Sequence, residues 1–85
     1  MLYRIFTEDK NQAEVERIVS QRFPGFTIYK AQGFWRLVKE GTLVIEITDA
    51  SITRADVNEV AENIKRANAQ ESVLIQEIQN ESWLI

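Results

Sequence analysis

The chain contains no cysteine and no histidine. Those two absences remove disulfides, thiolate nucleophiles, iron-sulfur clusters, the usual zinc sites and every acid/base mechanism that runs through imidazole. Proline occurs once and glycine three times, so few positions can break a helix or strand. No apolar run approaches the ~20 residues that span a bilayer. The start, MLYRIFTEDK, has neither a basic leader nor a long apolar segment, and a cytoplasmic location is expected from it. Lysine and arginine number 10 against 13 acids, a formal charge of -3, which argues against general affinity for nucleic acid or anionic lipid.

What is present suits one compact unit. The 85 residues are 45% hydrophobic and 27% charged, too apolar to stay unfolded and too short for two cores. Residues 1–85 are therefore read as a single domain, with 79–85 as a C-terminal tail. A chain this small buries a modest share of its surface, which favours self-association.

Periodicity supplies the elements. Leu2 to Thr7 alternates with a two-residue period and has apolar groups on both faces, as a central strand would. Asn11 with Glu14 has the spacing of a capping box, and Val15, Ile18, Val19 and Phe23 then recur at helical intervals up to the stop at Pro24-Gly25. Phe26 to Val38 reads as a strand with a bulge at Gly33, followed by a turn at Lys39-Glu40-Gly41. Thr42 to Thr48 returns as a third strand, with Leu43, Ile45 and Ile47 on one side and Val44 and Glu46 on the other. Thr53 and Asp56 begin a second helix striped by Val57, Val60, Ala61, Ile64 and Ala67. Ser72 to Ile78 is the fourth strand.

The order β-α-β-β-α-β predicts an α+β protein of ferredoxin-like, split β-α-β design: a four-stranded antiparallel sheet with two helices on one face. The first and third strands are expected as central neighbours, running parallel. The segments RFPGFT and GFWR, within Arg22 to Arg36, resemble a pattern in small bacterial proteins of unknown function. That resemblance implies the fold and a bacterial or phage source, and no activity.

Known uses of such a fold are mostly excluded by residue type. RNA-recognition modules stack bases on aromatics of the third strand, and TLVIEIT has none. Metal-carrying versions need the missing cysteines. Acylphosphatase-like enzymes hold phosphate in a glycine-rich loop after the first strand, where this chain has the acidic TEDKNQ. Dimeric α+β barrel proteins, which pair two sheets and sometimes enclose a small-molecule site, are comparable in fold alone.

Three groups of residues remain as candidates. If the loops after the first and third strands share a sheet end, Glu8, Asp9 and Asp49 form a possible site for a hard divalent cation. Helix capping explains the same acids more simply. The uncovered sheet face is expected to carry Tyr29, Val44, Glu46 and either Arg4 or Tyr3, with Trp35 and Arg36 as further aromatic and cationic contacts. Phe34 and Trp35 must point to opposite faces. Trp83, Leu84 and Ile85 either fold back on the core or dock on another chain.

The leading expectation is a non-enzymatic protein-protein interaction module without cofactors that forms a homo-oligomer or binds a basic protein partner. The alternatives are a small-molecule binding or cofactor-independent enzyme domain of the dimeric barrel type, and a phage or mobile-element inhibitor of a host protein.

Overall fold

The computed structural model describes residues 1–48 and 51–85. Six elements follow in order: β1 (Leu2–Glu8), α1 (Gln12–Arg22), β2 (Thr27–Trp35), β3 (Val38–Thr48), α2 (Arg54–Ala67) and β4 (Leu74–Ile78). They form one four-stranded sheet in the order β2-β3-β1-β4, every adjacent pair antiparallel. No helix among the described residues is long and apolar enough to cross a membrane.

Alternation along β1 and β3 decides which face the helices take. Tyr3, Ile5 and Thr7 of β1 are buried, as are Leu43, Ile45 and Ile47 of β3, and the register sets Ile5 opposite Ile45. Val15, Ile18, Val19 and Phe23 from the first helical segment and Val57, Val60 and Ile64 from α2 complete the same apolar cluster. Both helices therefore lie on one side of the sheet.

The relation of β1 to β3 differs from expectation. The two are central neighbours but antiparallel, with Leu2 opposite Thr48 and Glu8 opposite Thr42. The cause is the tight β2–β3 connection. The crossover through α1 makes β2 parallel to β1, and a hairpin then forces β3 to run against both. The two helices in consequence start at opposite ends of the sheet and pack antiparallel. The Arg22 guanidinium, at the end of α1, bonds Asp56 in the first turn of α2.

The helix starts use different devices. Thr53 and Asp56 form the capping box that their spacing predicts: the Asp56 amide donates to Thr53 Oγ1 at 3.2 Å, and the Thr53 amide donates to Asp56 Oδ2 at 3.1 Å. Asn11 does not. Its backbone is left-handed, with φ 55°, and its side chain makes no capping bond. Its Nδ2 instead donates to Asn68 Oδ1 at 3.1 Å, tying the start of α1 to the end of α2, while Glu14 pairs with Arg17. Asn68 is buried, and its own amide nitrogen donates to Gln70 Oε1, which also accepts from the buried Thr7 hydroxyl. A fully partnered polar knot thus closes this end of the sheet.

The β2–β3 hairpin is longer than the sequence pattern suggests. The turn is Arg36-Leu37, both with positive φ (50° and 67°), and Lys39 to Gly41 belong to the ladder. Gly33 pairs regularly with Glu40, without a bulge. Gly41 is explained by crowding. A Cβ there would stand 3.0 Å from Asp9 Cβ, where the Asp9 amide donates to the Gly41 carbonyl at 3.0 Å.

A two-residue hairpin loop with positive φ at both positions favours Asn-Gly, and each L-residue held left-handed costs ~1–2 kcal/mol. Replacing Arg36-Leu37 by Asn-Gly should therefore stabilise the protein by about 1–2 kcal/mol, a rise in Tm of several degrees in a thermal melt. A neutral or destabilising result would place the turn elsewhere.

Candidate functional site

Pairing identifies the uncovered face residue by residue, because cross-strand partners share a side. Leu2, Arg4, Phe6 and Glu8 of β1 lie beside Thr48, Glu46, Val44 and Thr42 of β3. Tyr29 joins Val44, Trp35 joins Val38, and Leu74 joins Phe6. Of the expected residues, Tyr29, Trp35, Val44 and Glu46 share this face, and Arg4, not Tyr3, is the β1 contribution.

Their roles divide. Glu46 is held at the centre: Arg4 Nε donates to its Oε2 at 2.6 Å, and the Tyr29 hydroxyl lies 3.3 Å from the same oxygen. The hydrogen bond to Glu46 is also the main reason the Arg4 pKa is raised. Val44 is buried beneath its neighbours and forms the floor of the face. The accessible apolar groups are Trp35 and Val38, each more than 60% exposed, and Leu74, 58% exposed.

Trp35, Phe6 and Leu74 wall a hollow of about 430 Å3 whose polar lining includes Glu8, Glu40 and Thr42. Neither Tyr29 nor Arg36 lines it. Arg36 sits in the turn with its guanidinium carbon 5.5 Å from the centre of the Trp35 ring, a cation–π contact that props the indole. Phe34 points to the opposite side, as alternation requires, and is 64% exposed.

The proposed acidic cluster loses its premise with the antiparallel register. Asp49 lies outside the described residues, but Thr48 before it pairs with Leu2, six residues and roughly 20 Å along β1 from Glu8. Glu8 pairs with Lys10 at 3.0 Å, and Asp9 with Lys30 at 3.6 Å. Among the described residues no group of three or more metal-binding side chains comes together. Trp83, Leu84 and Ile85 are largely to fully exposed, so the tail does not fold back on the core.

Phe6, Val38 and Leu74 are the face residues that sequence reasoning missed. Phe6 was legible from its even spacing with Arg4. Val38 was hidden by the misplaced turn, and Leu74 by the short β4, whose side assignment depends on its pairing with β1.

The anchor of β4 is electrostatic. The Tyr3 hydroxyl donates to Glu77 Oε1 at 2.7 Å, and Arg54 bonds the other oxygen. Hydrogen bonds from Arg54 and then Tyr3 hold the Glu77 carboxyl below its ordinary 4.5, and Arg22 similarly lowers Asp56 below 3.8.

No family model matches the chain, and no curated protein matches it. Thirty-seven chains of solved structures match. Among them is a phage SAM lyase in its apo state, with a TM-score of 0.48 and 20% identity over 87% of this chain and 75% of that one. That likeness carries no argument about this chain.

A carboxyl whose folded pKa is depressed stabilises the protein above its unfolded pKa and loses that contribution as pH falls through the folded value. Urea unfolding should thus show stability falling as pH drops below the ordinary carboxylate range. Glu77→Gln should flatten that dependence; an unchanged slope would show that the Tyr3–Glu77–Arg54 contact adds nothing.

Proposed function

We propose that this chain is a non-enzymatic protein-docking module whose open sheet face receives a partner segment that is apolar at its centre and basic at its flanks. The observation that carries the reading is the exposed group of Trp35, Val38 and Leu74 around the Phe6-walled hollow. Exposed apolar groups concentrated on one face mark interaction surfaces, and tryptophan is the residue type most often dominant in binding energy. Glu8 and Glu40 line the same hollow, and the chain as a whole is acidic, which selects lysine or arginine beside the apolar anchor.

Selection of displayed peptides against the immobilised protein tests the reading. Enriched sequences should carry an aromatic or aliphatic residue flanked by Lys or Arg, and amide shifts on binding should map to Phe6, Trp35, Leu74 and Glu40. Trp35→Ser should weaken such peptides by about thirtyfold, the ~2 kcal/mol typical of a dominant aromatic contact. Enriched peptides that bind Trp35→Ser equally well, or shifts confined to the helices, would overturn it.

A further inference from the structure

Beyond the Glu8–Thr42 pair the sheet narrows to two strands. Asp9 still donates to Gly41, but further out residues 33–35 and 38–40 pair only with each other among the described residues, and Arg36-Leu37 closes them. Three pairs at ~3.4 Å per residue make an arm about 10 Å long. Its apolar side chains face in every direction. Phe34 shares the helix side with its partner Lys39, Trp35 shares the open side with Val38, and Leu37 stands in the turn. Leu37 is 98% exposed, Phe34 and Trp35 64% each, and Val38 62%. Together they show on the order of 400 Å2 of apolar surface to water, as much as the largest apolar patch of a typical monomer.

The turn holds these side chains in place at a cost. Arg36 and Leu37 both adopt left-handed backbone, where Asn-Gly is the favoured pair, and strain of this kind concentrates where side chains serve a contact. The charge of the arm also departs from that of the chain. Residues 33–39 contain Arg36 and Lys39 and no acid, against a net -3 overall. No ion pair among the described residues engages either cation. Each side of the arm therefore sets an aromatic ring beside a cation: Arg36 lies 5.5 Å from the centre of the Trp35 ring, and Lys39 is the ladder partner of Phe34.

We propose that this arm inserts into the interfacial layer of an anionic lipid surface, with the acidic body held off it. A groove on a protein covers one side of a hairpin and leaves Phe34 or Trp35 in water, whereas a fluid interface closes round a convex tip from all sides. Tryptophan, arginine and lysine are the residue types that settle at that depth, with the apolar part among the acyl ends and the polar part among the headgroups. The outward backbone groups of the arm have no neighbouring strand, so the tip stops in the hydrated layer, ~5–10 Å deep, and does not enter the hydrocarbon. That depth matches the length of the arm. The acidity of the whole chain argues against general affinity for anionic lipid; it repels the body and leaves the arm as the point of contact.

The chain has two tryptophans, so each can report alone. With Trp83→Phe, the Trp35 emission should shift to the blue on titration with vesicles of phosphatidylcholine containing about a quarter phosphatidylglycerol. Half-saturation is expected near ~1 mM lipid, weaker than the ~0.1 mM of a single acyl chain. With Trp35→Phe, the Trp83 emission should not move. Pure phosphatidylcholine vesicles should bind at least about fivefold more weakly, the effect of one cation near an anionic surface. Replacing Arg36-Leu37 by Asn-Gly, the change expected to stabilise the fold, should weaken vesicle binding at least about tenfold, a loss that unfolding cannot explain. Leu37→Asp should weaken it as much, yet bind the peptides selected on the open face like the wild type, because Leu37 does not line the hollow. Failure of the insertion and failure of the docking face are thus seen separately. No shift of Trp35 up to ~10 mM lipid, a shift of Trp83 in its place, or undiminished binding by the Asn-Gly variant overturns the insertion. Equal binding to uncharged vesicles overturns the part given to Arg36 and Lys39.

Discussion

The register that sets Ile5 opposite Ile45 governs everything else in this protein. Both side chains are completely buried, and each contributes roughly 1.5–3 kcal/mol relative to exposure. Side chains alternate with a period of two, so a slip of one residue in either central strand would turn its buried apolar side chains away from the helices. Ile5, Leu43, Ile45 and Ile47 would face solvent, while Arg4 or Glu46 would enter the core. A domain of this size has a net stability of only ~4–13 kcal/mol and does not survive such an exchange. Fixing the inner face also fixes the outer one, where Phe6, Val44 and Glu46 must then lie.

That coupling explains how a small fold can hold a binding surface in place. Val44 is buried although it lies on the uncovered side, and the Arg4–Glu46–Tyr29 bonds cross three strands above the core. The accessible residues, Trp35, Val38 and Leu74, are carried at the hairpin and the sheet edge, where substitution removes contacts without opening a cavity. Binding and folding are therefore separable by position. The outer strands differ in length, nine residues in β2 and five in β4, and each has its charge paired within the domain, Lys30 with Asp9 and Glu77 with Arg54.

Much of the fold was legible because periodicity records burial. The stripe Val57, Val60, Ala61, Ile64 and Ala67 and the alternation Leu43, Ile45 and Ile47 each identify a buried face, and all of these side chains are buried except Ala67, which is exposed at the last position of α2. The Thr53–Asp56 capping box was legible for a similar reason, since both partners are local. The errors arose where long-range geometry overrides local preference. Lys39-Glu40-Gly41 has turn chemistry, yet Gly41 serves the approach of Asp9, and the actual turn uses Arg36 and Leu37, which carry no turn signal. Asn11 has the spacing of a cap but bonds Asn68, a partner 57 positions away. Strand direction was misjudged too, and with it the supposed acidic cluster, although the helical crossover and the hairpin, both read from the sequence, already require β3 to run against β1. Of the site, Tyr29, Val44 and Glu46 were placed on the right face by parity, whereas Leu74 became visible only through its pairing with Phe6.

The most direct test of this account is the set of cross-strand proton contacts in a nuclear Overhauser spectrum of the isotopically labelled protein. The register requires contacts joining Arg4 to Glu46, Ile5 to Ile45, Gly33 to Glu40 and Trp35 to Val38. Contacts joining Val38 to Thr42 across a turn at Lys39 to Gly41, or parallel-type contacts between β1 and β3, would contradict the register and the surface built on it.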